Sequence, residues 1–410
     1  MHFTVEFTSI ILHAATIEVA AASESDTVSH YLGWTRNGTA AIRTAIGRER
    51  LRILHTEASL GWGGQEIRVL SEARGLIERG HIVHLAVPGE ARAFGEALKR
   101  KVPVTALPIG RKNLRGLRAM RRHLLAHPVD VINVHSSTDS WLAALACATV
   151  RNAPPIVRTR HISAPIPNNI ATRWLYGSAT RRIVTTGEAL RRQIIEANRL
   201  PPDKVLSVPT GIDLDRFAPV DRDAARASLG LGQGVHYIGI VATLRSWKGH
   251  LHLLEAMTHL TDSRLLIIGD GPMRDVIEAR IASLGLGGRV TLTSHQDDPA
   301  PWLNALDAFC LPSYANEGVP QALMQAMAMG LPVVTTPVGS ITEIVRNEET
   351  GLIVPPANSQ AIAAAITRLR DDAELADRIG RAARAYAMST FGAARMLDRM
   401  EQVFRDAVAG

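Results

Sequence analysis

The sequence predicts an α/β protein of two domains in series, each a mostly parallel sheet with helices on both faces. Three observations lead there. Short apolar runs alternate with segments of helical period from about Leu51 onward. The rhythm breaks once, near residues 213–233, and then restarts. At 410 residues the chain is also longer than one hydrophobic core ordinarily organises.

Taken in order, "RILHTEA", "HIVHLAVP", "VPVTALPI", "VDVINVH", "PIVRTRH", "RRIVTTG" and "KVLSVPT" have the length and apolar content of buried strands. Between them, "GGQEIRVLSEARGLIERG" and "SWLAALACATVR" carry apolar residues at helical spacing. These elements make residues 51–212 the first domain. Residues 213–233, rich in Pro, Gly and charge, read as a linker; their "LGLGQG" precedes a strand and is discounted as a nucleotide fingerprint. "HYIGIVAT", "SRLLIIGDG", "RVTLTS", "DAFCLPS", "PVVTTP" and "GLIVPP" rebuild the alternation over 234–385. Residues 386–410 read as a terminal amphipathic helix.

Residues 1–50 stand outside this pattern. "TSIILHAATIEVAAASES" is apolar and then small, but no Lys or Arg precedes it, Glu6 stands before it and Glu18 interrupts it, which argues against a signal peptide. The expectation is an N-terminal extension, either disordered or not native. Asn37 opens a glycosylation sequon by letter only.

Composition is that of an ordinary globular protein, 46% apolar and 21% charged, with no run near the ~18 apolar residues of a membrane span. Cys147 and Cys310 lie far apart in apolar surroundings and read as buried small hydrophobes, with a reducing compartment as the corollary. The net charge of +7 has a local source in "GRKNLRGLRAMRRHLLAH", with Arg111, Lys112, Arg115, Arg118, Arg121 and Arg122. Leu114, Leu117, Leu124 and Leu125 there read as one helical stripe. Such a segment suits an anionic membrane surface or a phosphorylated substrate, or else is a solvated helix with a core stripe. Nucleic acid is disfavoured, because no aromatic residues interleave with these cations.

Ligands of open parallel sheets bind beyond the carboxyl ends of the strands, so each candidate is judged by whether it follows a strand. Gly61, Gly63 and Gly64 follow the first strand and precede a helix, where backbone N–H groups can meet an anion. Arg245 and Lys248 follow the first strand of the second domain and suit a diphosphate clamp, against the alternative of solvated surface charge. Gly269, Asp270 and Gly271 form a turn after the next strand. His161 follows a first-domain strand and can bond a substrate hydroxyl; His135 has the same context with a weaker claim. Asp213 and Asp215 offer too few converging oxygens for a metal.

The remaining candidate lies in "YANEGVPQALMQAMAMGLPVVTTPVGSITEIV", residues 314–345. Glu317 occupies a loop before a helix with Pro320 near its start, and Ala322, Leu323, Ala326 and Met327 read as that helix's packed face. Glu317 can accept from sugar hydroxyls while the N–H groups of Gly318 and Val319 hold phosphate. Gln325 can reach deeper with an amide that both donates and accepts. "PVVTTPVGSITEIV" then sends a loop back over the same spot.

This string resembles the signature of family 4 glycosyltransferases, as do "GGQE", "VPTGIDLDRF", "WKGH" and "GDGP" in the same order, from about Leu51 to the end. The resemblance implies two facing Rossmann-like domains with a cleft between them, the GT-B architecture. It implies a retaining enzyme with a nucleotide-sugar co-substrate, no cofactor and no metal. Glu317 matches the family's first motif Glu, a contact of the donor sugar. The ribose-binding Glu is Gln325 here. Lys248 matches the phosphate-binding Lys; the usual Arg five positions earlier is Thr243, with Arg245 as its substitute. Gly63 and Gly64 match the glycine loop, His161 resembles the active-site His, and Thr210 replaces the Asn of "NGID". The implied acceptor is a saccharide or lipid-linked sugar in surface polysaccharide or lipopolysaccharide assembly, in the cytoplasm at the inner membrane face. Two alternatives remain: a non-catalytic nucleotide-sugar-binding homologue, motivated by Gln325 and Thr243, and a GT-B sugar epimerase, which needs more acids and histidines in the cleft.

Overall fold

The computed structural model describes residues 50–162 and 164–410; the readings of the N-terminal segment, including the signal-peptide and sequon arguments, fall outside them. In the first domain β1 (Arg52–Thr56), α1 (Gly64–Glu78), β2 (Ile82–Val87), α2 (Arg92–Lys99), β3 (Val104–Ala106), α3 (Leu114–Ala126) and β4 (Val131–Val134) alternate. They continue through α4 (Ser137–Cys147), β5 (Ile156–Arg160), α5 (Ile170–Arg173) with a π turn at Trp174–Ala179, β6 (Arg182–Thr185), α6 (Glu188–Asn198) and β7 (Val205–Ser207). The seven strands pair in parallel in the order β3-β2-β1-β4-β5-β6-β7.

The second domain holds α7 (Arg222–Ser228), β8 (His236–Val241), α8 (His250–Met257), β9 (Ser263–Ile268), α9 (Arg274–Ser283), β10 (Val290–Leu292), α10 (Ala300–Asn304) and β11 (Ala308–Leu311). Then come α11 (Gln321–Ala328), β12 (Val333–Thr335), β13 (Leu352–Ile353), α12 (Ser359–Asp371) and α13 (Ala373–Thr390), with α14 (Ala393–Ala409) last. Its six strands, also parallel, run β10-β9-β8-β11-β12-β13. Two facing parallel-sheet domains of this kind are the GT-B architecture.

Period-two alternation explains the double layering. Ile53 and Val157 enter one first-domain core cluster, whereas their neighbours Leu54 and Ile156 enter the cluster on the opposite face of the sheet. Each sheet reverses its winding at one place, between β1 and β4 and between β8 and β11. The ligand crevice of an open sheet opens at such a reversal. The site therefore belongs at the carboxyl ends of those four strands.

Within 213–233 the chain forms α7, whose first turn is capped by Asp221 accepting from the Ala224 N–H at 2.7 Å. Arg226 ties α7 to the second domain through Asp307 at 2.6 Å. At the far end α13 runs to Thr390, and the chain crosses back beside the linker: Ile212 N–H donates to Phe391 O and Ala393 N–H to Ile212 O. α14 then packs on the first domain, where Met396, Met400 and Phe404 complete a core cluster.

The structure corrects the stripe read on α3. Leu114 and Leu125 are 66% and 50% exposed, while Gly116, Met120, His123 and Leu124 are buried. At 100° per residue, positions 114 and 125 fall on the ridge of Arg118, Arg121 and Arg122, opposite the sheet. On α11, Leu323, Met324, Ala326 and Met327 are buried, and Ala322 only packs at the margin. Cys310 is buried and Cys147 half-buried, and burial pushes the Cys147 thiol up to about 12. Among the described residues no helix is long and apolar enough to cross a membrane.

Candidate active site

After β8 the chain makes a short 3-10 turn at Ser246–Lys248 and enters α8 through Gly249 at its N-cap. Gly249 has φ 79°, and a Cβ there would stand 2.1 Å from Pro312 O, so only glycine lets these two loops touch. That approach brings Lys248 Nζ to 2.6 Å from Glu317 Oε1. Ser313 Oγ donates to the same oxygen at 2.5 Å. Glu317 is 4% exposed, and its Oε2 takes no hydrogen bond among the described residues. The returning loop after β12 covers it: Gly339, at φ 61°, would place a Cβ 2.0 Å from Glu317 O.

Across the cleft, the first domain comes close at three places. A Cβ on Gly318 would lie 3.1 Å from His161 O. Gln321, opening α11, donates from Nε2 to Gly64 O at 2.5 Å, so the N-termini of α1 and α11 face one another. Glu343 accepts from the N–H groups of Glu188 and Ala189 at 2.5 and 2.6 Å, capping α6 from the other domain. Unpaired N–H groups and the positive dipole ends of two helices thus converge, an arrangement that favours an anion. Position 63 does not require glycine for its backbone, with φ −174°, and among the described residues an added Cβ would meet only Glu66 Oε2, at 3.8 Å. The small size of Gly63 leaves room for a ligand.

The other candidates fall as follows. Gln325 lies half-buried one turn behind Gln321 on the less buried side of α11. Val319 buries its side chain in the second-domain core, leaving its N–H as the group that can serve a ligand. Arg245 is exposed, with its guanidinium 5.7 Å from the Trp247 ring centre, and Thr243 beside it is exposed too. Thr210 is buried away from these groups, accepting from Arg68 Nη1 at 3.2 Å. Asp270 is exposed and bonds the Gly271 N–H and Arg274. Asp213 turns its carboxylate to the Asp215 and Arg216 N–H groups.

His161 ends a row that single-residue reading missed. His55 Nδ1 lies 3.0 Å from His135 Nε2, and His135 Nδ1 lies 3.0 Å from His161 Nε2. Burial pulls the pKa of His55 to about 3. His135 and His161 are held well below 6.5, first by burial and then by neighbouring rings and cations, Arg68 among them. All three rings are therefore neutral near pH 7, each with one N–H. His55 Nε2 has no hydrogen-bond partner among the described residues, and the His55 and Phe404 rings meet edge-on. A buried bare acceptor is tolerated better than a buried orphan N–H. The favoured tautomers then run His55 Nδ1–H to His135 and His135 Nδ1–H to His161, leaving His161 Nδ1–H free to donate.

Two carboxylates stand behind this row. Asp139 accepts from the His135 N–H at 2.9 Å and from Thr56 Oγ1 at 2.8 Å. Glu57, after β1, accepts from the Ser59 N–H at 2.8 Å and from Gln65 Nε2. Burial, then the Asp139 charge, push Glu57 up to about 8. A sequence signal existed for some of these: His55 in "RILHT" and Arg158 in "IVRTR" are titratable residues within runs that read as buried strands. Ser313, Gln321 and Glu343 carried none, because their partners lie on other loops.

Comparison with known proteins gives a consistent picture. A family profile described as "Glycosyltransferase Family 4" matches residues 62–216, and one described as "Glycosyl transferases group 1" matches 221–386. A D-inositol 3-phosphate glycosyltransferase of Mycobacterium avium is 30% identical over 305 residues, 68% of this chain and 70% of the relative. The UDP-Gal:alpha-D-GlcNAc-diphosphoundecaprenol alpha-1,3-galactosyltransferase of Escherichia coli is 25% identical, over 72% of this chain and 80% of its own. The crystal structure of Anabaena HepE in complex with UDP-glucose superposes with a TM-score of 0.77 at 20% identity, covering 87% of this chain and all of that one.

Proposed function

The chain belongs to family 4 of the glycosyltransferases, with a group 1 second domain, and on that premise we propose that it moves a hexose from a nucleotide-sugar to a saccharide or lipid-linked acceptor with retained configuration. The observation that carries this reading is the meeting of Glu317 and Lys248 at 2.6 Å, where Gly318 faces His161 across the cleft. Lys248, Arg245, the Gly318 and Val319 N–H groups and the start of α1 at Gly63 and Gly64 take the donor diphosphate. Glu317 Oε2 accepts from the donor sugar, Gln325 holds the ribose, and His161 donates from Nδ1.

Transfer breaks the bond from the anomeric carbon to the diphosphate oxygen, whose growing charge is met by these cations and N–H groups. The acceptor oxygen bonds to the anomeric carbon on the same face, and its proton passes to the departing diphosphate. Three neutral histidines and a Glu317 already paired with Lys248 supply no strong base, which suits a proton carried off by the leaving group. No metal or cofactor enters this scheme. Resemblance to an enzyme acting on a diphosphoundecaprenol-linked sugar supports a role in surface polysaccharide or lipopolysaccharide assembly. The α3 ridge, with Leu114 and Leu125 exposed among Arg118, Arg121 and Arg122, supports peripheral attachment to the anionic inner face of the membrane.

The test is thermal-shift binding of nucleoside diphosphates and nucleotide-sugars, followed by NMR of the transferred sugar. One base stabilises the protein, Lys248→Ala abolishes that shift, and the product keeps the donor's anomeric configuration. An inverted product, or no stabilisation by any nucleotide, refutes the reading.

A further inference from the structure

Beside the histidine row lies a pocket of about 260 Å³. Arg158, Arg160, His161, Trp141, Tyr176 and Ile166 are among its walls, and Gln65 links it to the glycine loop. Alternation along β5 places Arg158 and Arg160 on one face, while Val157 enters the core on the other.

The two arginines differ in what they hold. Arg160 donates from Nη1 to Tyr176 OH at 2.9 Å and from Nη2 to Ile162 O and Ala164 O at 3.3 and 2.6 Å. It is committed to shaping the rim. Arg158 is 3% exposed, and its Nε and Nη1 have no hydrogen-bond partner among the described residues. The face of Tyr176 lies 4.4 Å away, from ring centre to guanidinium carbon, and the Asp139 carboxylate attracts it without a hydrogen bond among the described residues. Arginine keeps its charge at any working pH, and a buried charge without a hydrogen-bonded counter-group is costly. A fork of free donors walled by aromatic rings is a socket for a planar or tetrahedral oxyanion.

We propose that this pocket recognises the acceptor through an anionic oxygen group beside its sugar, a phosphate ester or a carboxylate, bound by the Arg158 fork. Trp141 and Ile166 receive the apolar face of the same sugar. The volume is slightly under the roughly 300 Å³ where common ligand sites begin, so one sugar unit fits and a longer saccharide extends outside. The inference rests on the glycosyltransferase reading, which makes the first domain the acceptor side, and narrows it to charged acceptors.

The experiment is calorimetric titration of the full chain with glucose 1-phosphate, glucuronate and glucose, with the nucleoside diphosphate that stabilises the protein saturating the donor side. One charged sugar binds about tenfold or more tighter than glucose, as a charge-assisted fork provides. Arg158→Gln brings the two within about twofold, and Arg158→Lys keeps part of the preference because charge survives without the fork. The phosphate and carboxylate arms identify which anion is meant. Equal binding of charged and neutral sugars, or a preference that survives Arg158→Gln, overturns the proposal. If Arg158→Gln fails to fold, the wild-type comparison and Arg158→Lys still decide. Nucleoside-diphosphate affinity is measured separately: its absence for every base overturns the donor reading, whereas nucleotide binding without a charged-sugar preference overturns this pocket alone.

Discussion

Lys248 and Glu317 neutralise one another while Ser313 steadies the carboxylate, so removing one partner alone leaves a nearly buried charge. Lys248→Ala should cost about 1–3 kcal/mol of stability, the penalty of an unsatisfied buried group, besides abolishing donor binding. Adding Glu317→Gln to Lys248→Met should restore most of the melting temperature and none of the transfer, which separates the structural from the chemical role. The histidine row makes a second prediction. His55 has a folded pKa of about 3 against 6.5 unfolded, so between those values the unfolded chain binds more protons and acid destabilises the fold. Glu57 acts with the opposite sign: raised to about 8 from 4.5, it favours the fold below about 4.5 and loses that contribution as pH rises to 8. Urea unfolding of His55→Gln should show a flatter loss of stability from pH 6.5 towards 4 than wild type, by roughly 1.4 kcal/mol for each pH unit crossed. An unchanged acid limb would place the pH dependence elsewhere.

Among the elements, α14 is last in sequence but contributes Met400 and Phe404, both fully buried, to the first-domain core. Arg79 of the α1 C-terminal turn fixes it through Asp398 at 2.7 Å and Glu401 at 2.9 Å. Phe404→Ala should cost about 3–5 kcal/mol, as for other large core aromatics. Because Phe404 also meets His55 edge-on, that substitution should shift the His55 imidazole resonances as well, and a change in stability alone would argue against the coupling. The strands were legible because each is a short apolar run ended by Gly, Pro or a polar cluster, and all thirteen runs named from the sequence became strands. α3 was less legible, since apolar letters on a short helix do not say which ridge meets the sheet.

For the whole molecule, the two domains are held face to face by Gln321 on Gly64 and by Glu343 on the start of α6. Glu343→Ala removes two charge-assisted bonds and should populate a more open arrangement. Small-angle scattering would then give a larger radius of gyration, with the turnover of sugar transfer falling more than nucleotide affinity. No change in scattering would mean that the other contacts suffice for closure.

The two parallel sheets, their order along the chain and the family are all written in the residues themselves, because strand and helix periods and short turn motifs are local properties. The same local reading placed Glu317, Lys248, Gly63 and His161 after strands. It took the folded molecule to show that Lys248 meets Glu317, that His161 ends a row beginning at His55, and that Arg158 stands buried with free donors. Those facts depend on which strand ends become neighbours when the sheets reverse their winding, and on how two domains far apart in the chain close on each other. Contacts of that range leave no periodic trace in the residues that make them.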